Sequence, residues 1–340
     1  MAAKRSKKTT KKTKPKAKRS VIPANRYLRY VLPNNVADVN NTYYVDLAND
    51  LSAINRRLMR AGKMYHVKKI TVMSAETLGG IGWTDDSEAS FADFHQKNAG
   101  LMRVSICPDS WTSRGAWRRG RALHRKMEKK VLQGVSGSVQ GSWADFKVYL
   151  NQGHKQGVIA VPKDLDDNNL SLGEWIYSKY VSSDDAGVND EFTAHLLGGH
   201  DNGTGGSTYD SIGLIKSFAL SRATVSTDDP SLFGAMDDDP LVNLFDSSDQ
   251  TQEVLENLRA HNDDPPYDST AYVGGTSNLP APQVVGMTTL GSGGIGTIGG
   301  FAAMCGLLRI DTRSSTDFDN FEVVIELAAG DYRGIKATSI

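Results

Sequence analysis

Hydrophobic and polar positions alternate with a period of two over several stretches, the mark of strands that present one face to a core. In residues 145–150, Phe146, Val148 and Leu150 share a face; in residues 321–327, Phe321, Val323, Ile325 and Leu327 face in while Glu322 and Glu326 face out. Similar runs predict strands at residues 42–47, 64–73, 101–106, 175–180, 212–225, 282–290 and 306–312. Gly, Asp and Pro punctuate these runs, and no βαβ repeat is present. The pattern therefore predicts an all-β fold, a sandwich or barrel of antiparallel strands.

Three helical patterns interrupt the strands. Residues 50–61 place Leu51, Ile54 and Leu58 on one face, with Gly62 as the stop. In residues 113–132, Arg114, Arg118, Arg121, Arg125 and Lys129 step by four, three, four and four into a cationic stripe, while Ala116, Gly120, Leu123, Met127 and Val131 form an apolar face roughly opposite. Residues 241–261 carry Leu244, Phe245, Val254, Leu255 and Leu258 among acids, and a Pro- and Asp-rich turn follows. Glycine-rich residues 198–206 and 286–300 read as mobile loops.

Charge sharpens the picture. The 340 residues carry 39 Lys and Arg against 39 Asp and Glu. All ten charges of the first twenty residues are basic: Lys4, Arg5, Lys7, Lys8, Lys11, Lys12, Lys14, Lys16, Lys18 and Arg19. The remaining body is thus acidic, 29 basic against 39 acidic side chains. Almost without large apolar residues, the first segment cannot offset its ordering entropy, so residues 1–25 are expected to be a disordered basic arm and residues 26–340 the folded body. Within that body, residues 103–130 hold nine basic and two acidic side chains, and residues 163–268 hold 22 acidic and five basic. One surface should be positive and another negative.

Several classes drop out. The longest apolar run, residues 301–308, is far short of the ~20 residues of a spanning helix, and the charged start is unlike a secretory signal. The Asn-x-Ser/Thr triplets at Asn40, Asn169 and Asn202 then read as chance matches. Cys107 and Cys305 read as reduced, buried apolar residues. Gly294, Gly296 and Gly299 match the dinucleotide pattern G-x-G-x-x-G, but β-like sequence follows where a helix is required, so a flexible glycine loop is the reading. His195 and His200, with Asp201, have no third strong ligand and read as hydrogen-bonding loop residues rather than a zinc site. Asp228, Asp229, Asp237, Asp238 and Asp239 offer oxygen ligands for an interfacial calcium ion but lack the spacing of a calcium loop, and a solvated acidic loop is the preferred reading. No cofactor and no enzyme activity are expected.

The arm carries the clearest functional signal. If its ten cations each neutralised one phosphate of a single strand, log K would fall with log[salt] at a slope of about −7. Such binding is strong at low salt and blind to sequence; nuclear import is a compatible second role. The stripe from Arg114 to Lys129 would add phosphate contacts, or else be a solvated basic face. Trp111 and Trp117 read as core rather than as base-stacking platforms.

Three segments add a family resemblance: Trp143-Ala144-Asp145-Phe146-Lys147-Val148-Tyr149, the stretch from Asp239-Pro240-Leu241 to Asn262-Asp263-Asp264-Pro265-Pro266-Tyr267-Asp268, and Glu326-Leu327-Ala328-Ala329-Gly330-Asp331-Tyr332-Arg333-Gly334-Ile335. With the arm and the β-rich body they resemble capsid proteins of circular, replication-initiator-encoding single-stranded DNA viruses, particularly the bacilladnavirus-like branch. The resemblance implies a single jelly roll related to nodavirus-like capsids, many copies closing an icosahedral shell, a packaged single-stranded DNA genome, and residence in the virion and, during assembly, the host nucleus. In that frame the arm and stripe face the genome and part of residues 163–268 forms outer loops or a projection. A cellular nucleic-acid-binding protein with a basic tail is the alternative.

Overall fold

The computed structural model describes residues 23–74, 100–134, 143–170, 172–183, 189–202, 209–221, 282–290, 294–315 and 319–340. Along the chain these form β1 (Tyr27–Asn34), β2 (Asn41–Asp46), α1 (Leu47–Asn55), β3 (Lys63–Ser74), β4 (Leu101–Ile106), α2 (Trp111–Gly134), α3 (Gln152–Gln156), β5 (Val158–Ile159), β6 (Lys179–Ser183), β7 (Asn189–His195), β8 (Asp201–Asn202), β9 (Tyr209–Gly213) and α4 (Leu214–Leu220). There follow β10 (Gln283–Thr289), β11 (Ile295–Ile298), β12 (Phe301–Met304), β13 (Leu307–Arg313), β14 (Asp319–Leu327), β15 (Ala329–Gly330), β16 (Gly334–Ile335) and β17 (Ala337–Ser339).

The described chain is mostly β, and its two larger sheets share one core. The first runs β1-β14-β3-β11, with β12 and β17 also pairing along the long strand β3, all antiparallel. The second runs β10-β4-β13-β2-β5, antiparallel except for the short parallel pairing of β2 with β5. The period of two fixes the inner faces: Leu28, Tyr30 and Leu32 of β1, Ile70 and Val72 of β3, and Phe321, Val323, Ile325 and Leu327 of β14 meet Val45, Met102, Val104, Leu308 and Ile310 of the second sheet. A one-residue slip would turn any of these sets to solvent.

Two glycine positions let the sheets join. A Cβ on Gly286 would stand 2.2 Å from Ile298 Cγ2, and one on Gly296 2.6 Å from Thr288 Oγ1, so β10 and β11 meet edge to edge only because both positions lack a side chain. Gly306, at φ +76°, completes the turn that carries the chain from β12 in one sheet to β13 in the other.

A second core lies beside the sandwich. It gathers Ala116 and Trp117 of α2, the segment Phe146, Val148 and Leu150, Tyr180, Ala194, Leu214 and Ile215 from the four-stranded sheet β6-β7-β9-β8 and α4, and Met64, Met304, Cys305 and Leu307 from the sandwich itself. All of α2, β6 to β9 and α4 belong to one long insertion between β4 and β10.

The structure corrects several expectations. Residues 145–150 are extended with Phe146, Val148 and Leu150 buried, but form only a single parallel bridge, Tyr149 to His195, rather than a strand. The predicted strand at 212–225 is not continued beyond Gly213: β9 ends there and α4 begins, because Leu214, Ile215 and Phe218 recur at helical spacing, while residues 222–225 lie outside the described residues. The predicted strand at 175–180 starts only at Lys179, since Trp175 Nε1 (2.8 Å) and Tyr177 OH (3.3 Å) are drawn to Asp46 Oδ2. Helix α1 runs earlier than residues 50–61: the Asp46 carboxylate caps Ala48 and Asn49, and Arg56 at φ 50° ends it. Gly62 is instead a close approach, where a Cβ would lie 2.6 Å from two ring carbons of Trp117. The described parts of residues 286–300 are strands, not a mobile loop: Gly294 leads into β11, antiparallel to β3 and followed by β12, so the dinucleotide motif has no helix to sit on. Glu326 keeps to the outer face but is covered, with Lys68 Nζ at 2.7 Å and Tyr27 OH at 3.2 Å.

Candidate nucleic-acid interface

Strand register places the exit of the arm. Tyr27 opens β1 opposite Glu326, and Leu327 lies opposite Val67 near the start of β3, so the chain enters β1 at the end of the sandwich where β3 begins. Residues 23–26 run along α1 there. Asn25 N donates to Asn55 Oδ1 at 2.8 Å, Asn55 Nδ2 returns a bond to Asn25 O at 3.0 Å, and Arg57 Nη2 donates to Pro23 O at 3.3 Å. The ten cations of the arm lie outside the described residues, but the point where they join the body is fixed beside Arg56 and Arg57.

At the same end, β4 leads into α2. Ser110 caps the helix, its Oγ accepting from Ser113 N at 3.1 Å. The buried face is Ser113, Ala116, Trp117 and Gly120, with His124 and Met127 half-buried, so the helix is rotated from the apolar face read in the sequence. Leu123, expected in the core, is 49% exposed because its side of the helix looks over α4. Trp117 is core as expected; Trp111 is half exposed and meets Phe218 edge-on.

The five cations of the stripe have different fates. Arg114 pairs with Asp109, Nη2 to Oδ2 at 2.8 Å, and the bonded carboxylate raises its pKa. Arg118 is exposed and donates through Nε to Ile340 O at 3.2 Å. Arg121 lies over the Trp117 ring at 5.1 Å, and its pKa is lowered, first by burial and then by Arg125. Arg125 and Lys129 are exposed. Among the described residues, none of Arg121, Arg125 and Lys129 has a side-chain carboxylate within ion-pair distance, whereas Arg29, Lys68, Arg103, Lys155, Lys179, Arg309 and Arg313 all do.

Beside α2 opens a cavity of about 430 Å³ lined by Arg60, Lys63, Arg121, His124, Arg125, Glu128 and Asp145, with Gly62, Ala144, Phe146, Ser339 and Ile340 completing its wall. Arg60, from the link between α1 and β3, and Lys63, the first residue of β3, were not among the site residues read from the sequence because nothing local announces them; only the fold sets them opposite α2. Their frame is firm. Arg60 N donates to Tyr332 OH at 2.9 Å, Tyr65 OH donates to Arg60 O at 2.8 Å, and Arg60 Nη1 reaches Ala144 O at 2.6 Å. Asp145 is held by backbone amides, accepting from Ala61 N at 2.7 Å and Phe146 N at 3.0 Å, and Glu128 lies 3.6 Å from His124. Burial lowers the His124 pKa, leaving the imidazole neutral at pH 7.

The other candidate positions separate. His195 is buried, its Nδ1 2.7 Å from Ser211 Oγ and its Nε2 2.6 Å from Gly199 O, so both ring nitrogens are engaged and burial pushes its pKa down to about 4. His200 Nδ1 instead accepts from Gly213 N at 3.3 Å. Cys107 and Cys305 are free and buried, and burial pushes the Cys107 thiol up to about 12. Asp228, Asp229, Asp237, Asp238 and Asp239, and the predicted helix at 241–261, lie outside the described residues; among the described residues no three His, Cys, Asp or Glu side chains converge as metal ligands. Among those residues, too, no helix is long and apolar enough to cross a membrane. The described part of the acidic stretch does not stand apart from the cationic helix, since β6 to β9 and α4 share their core with α2.

No protein-family model, curated protein or solved structure matches this chain.

Proposed function

We propose that the chain is a capsid protein that closes a shell from many copies of itself and packages single-stranded DNA through its basic arm and the cationic end of its sandwich. One observation carries the reading: the arm joins the body at the end where Arg57, Arg60, Lys63, Arg121 and Arg125 gather, so the cations of arm and body address the same partner. Among the described residues the cations here outnumber the carboxylates, and such a cluster costs stability by repulsion unless a polyanion neutralises it.

The sheet orders support the finer fold reading. With β11 and β12 counted as one strand, the eight principal strands lie in the orders 1-8-3-6 and 5-4-7-2, the arrangement of two interleaved Greek keys in a jelly roll, a fold common in viral shells. The resemblance of the three sequence segments supports the viral assignment and DNA as the nucleic acid. On this reading the chain's work is assembly and neutralisation rather than catalysis, its place is the virion, and the arm also serves entry to the host nucleus.

The test is negative-stain microscopy and sedimentation of the full-length protein at low and high salt, with the pellet assayed for nuclease-protected nucleic acid. Uniform closed particles holding protected DNA are expected. A single low-mass species that binds nucleic acid at every salt concentration would replace this reading with that of a cellular binding protein.

A further inference from the structure

The cavity beside α2 differs from a merely basic surface. Four cations reach it from two separate parts of the chain, Arg60 and Lys63 from around the start of β3 and Arg121 and Arg125 from α2, and the two walls are locked by the contact of Gly62 with Trp117. Of the two side-chain carboxylates in the lining, Asp145 is held by backbone amides while Glu128 stands 3.6 Å from the neutral His124 ring, so the four cations outnumber them two to one. At about 430 Å³ the space lies within the usual range for a small-ligand site and is far larger than one side chain needs. Fixed guanidinium groups converging on a concave space suit a phosphate group, which accepts several charge-assisted hydrogen bonds at once.

We infer that this cavity is a discrete phosphate site of the folded body, saturable at one phosphodiester or diphosphate group per chain and independent of the arm. The inference rests on the nucleic-acid reading and divides the stripe: Arg121 and Arg125 work with Arg60 and Lys63, whereas Arg114, already paired with Asp109, does not. Binding by the arm should follow salt and strand length; binding in the cavity should reach an end point. The phosphate comes from the backbone of the packaged strand or from a free polyphosphate, and the two sources separate experimentally.

The experiment is hydrogen–deuterium exchange on the full-length protein, free and with either inorganic pyrophosphate or an eight-nucleotide oligothymidylate, beside a binding titration of each probe. Protection of peptides covering residues 58–64, 119–129 and 143–147 by both probes, saturating at one pyrophosphate per chain, is expected; protection by the oligonucleotide alone would assign the site to the strand backbone. Arg125→Glu and Lys63→Glu should each weaken the binding that gives this protection roughly tenfold or more. Lys130→Glu, the same charge change on the same helix away from the cavity lining, should leave it within about twofold, and it controls for net charge should either cavity variant misfold. If the oligonucleotide binds but none of the three peptides is protected, the site is refuted while arm-mediated nucleic-acid binding stands. If the oligonucleotide does not bind at all, the proposed function fails with it. If polyglutamate protects the peptides and neither phosphate probe does, the cavity takes an acidic segment of protein instead.

Discussion

His154 makes the second core acid-labile. It is fully buried, stacked on Tyr44 at 5.0 Å with 12° between the rings and bordered edge-on by Tyr149 and Tyr177. Its Nδ1 accepts from Leu150 N at 3.1 Å, which assigns the proton of the neutral ring to Nε2, facing Tyr177 OH. Charging the ring would sacrifice the Leu150 bond and place an imidazolium among three tyrosines, so burial pushes its pKa from 6.5 down to about 3. The unfolded chain therefore binds the proton first as pH falls: stability is complete above about 6.5 and is lost progressively below it. At pH 4.5, two units below the unfolded value, the loss is about 2.7 kcal/mol at about 1.36 kcal/mol per unit. Urea titrations of wild type and His154→Gln at pH 7.5 and 4.5 measure it, because groups common to both cancel in the difference. The wild-type advantage at pH 7.5 should shrink by about 2.7 kcal/mol at pH 4.5. A gap unchanged to within about 0.5 kcal/mol would refute the account of a buried ring held neutral in the fold.

Asp46 should respond with the opposite sign. Burial raises its carboxyl from 3.8 to about 6 despite four donated hydrogen bonds, so the ionised form costs about 3 kcal/mol above pH 6 and nothing below about 3.8; the same urea series on Asp46→Asn should show the wild type gaining on the variant as pH falls from 6 to 4. Gly62→Ala drives a methyl group into the Trp117 ring and should destabilise by about 1–3 kcal/mol in denaturant titrations. Phe321→Ala, at the centre of the sandwich, should cost about 3–5 kcal/mol. Deleting residues 2–20 should leave the circular dichroism and melting of the body unchanged while removing most nuclease-protected nucleic acid; normal packaging by the truncated chain would contradict the role given to the arm.

The sequence was most legible where a strand has one face in the core. Residues 101–106 correspond to β4, and 64–73 and 321–327 fall within β3 and β14, because Val72, Val104 and Val323 alternate with residues that face away. It was least legible where a polar side chain decides. Asp46 starts α1 and holds Trp175 and Tyr177 out of a ladder, and nothing in the spacing of apolar residues announces either effect. Residues 212–225 failed for another reason: a strand and a helix abut at Gly213, and a window spanning both averages the two periods. For the candidate interface, the stripe on α2 was visible from charge spacing alone. Arg60 and Lys63 were not, since they come close to Arg121 and Arg125 only across a long sequence separation.

The gathering of cations at one end follows from counting strand passages. In a sandwich of antiparallel strands, successive connections alternate between the two ends. The start of β1, the β2–β3 link with α1, the β4–β10 insertion with α2, the β12–β13 turn and the segment after β14 therefore share an end, and the second core draws on the last three of these. The β1–β2, β10–β11 and β13–β14 connections fall at the other end, where among the described residues Arg313 meets Asp38 at 3.1 Å, and Ser74 and Ser314 hold the buried Asp319 at 2.6 and 2.7 Å. An arm joined to β1 thus emerges beside the insertion whatever the arm's own conformation. Basic residues in the β2–β3 link and in the insertion become neighbours of that arm without being near it in sequence. If the chain is the shell protein proposed above, this topology puts the cations of the arm and of the body on one surface.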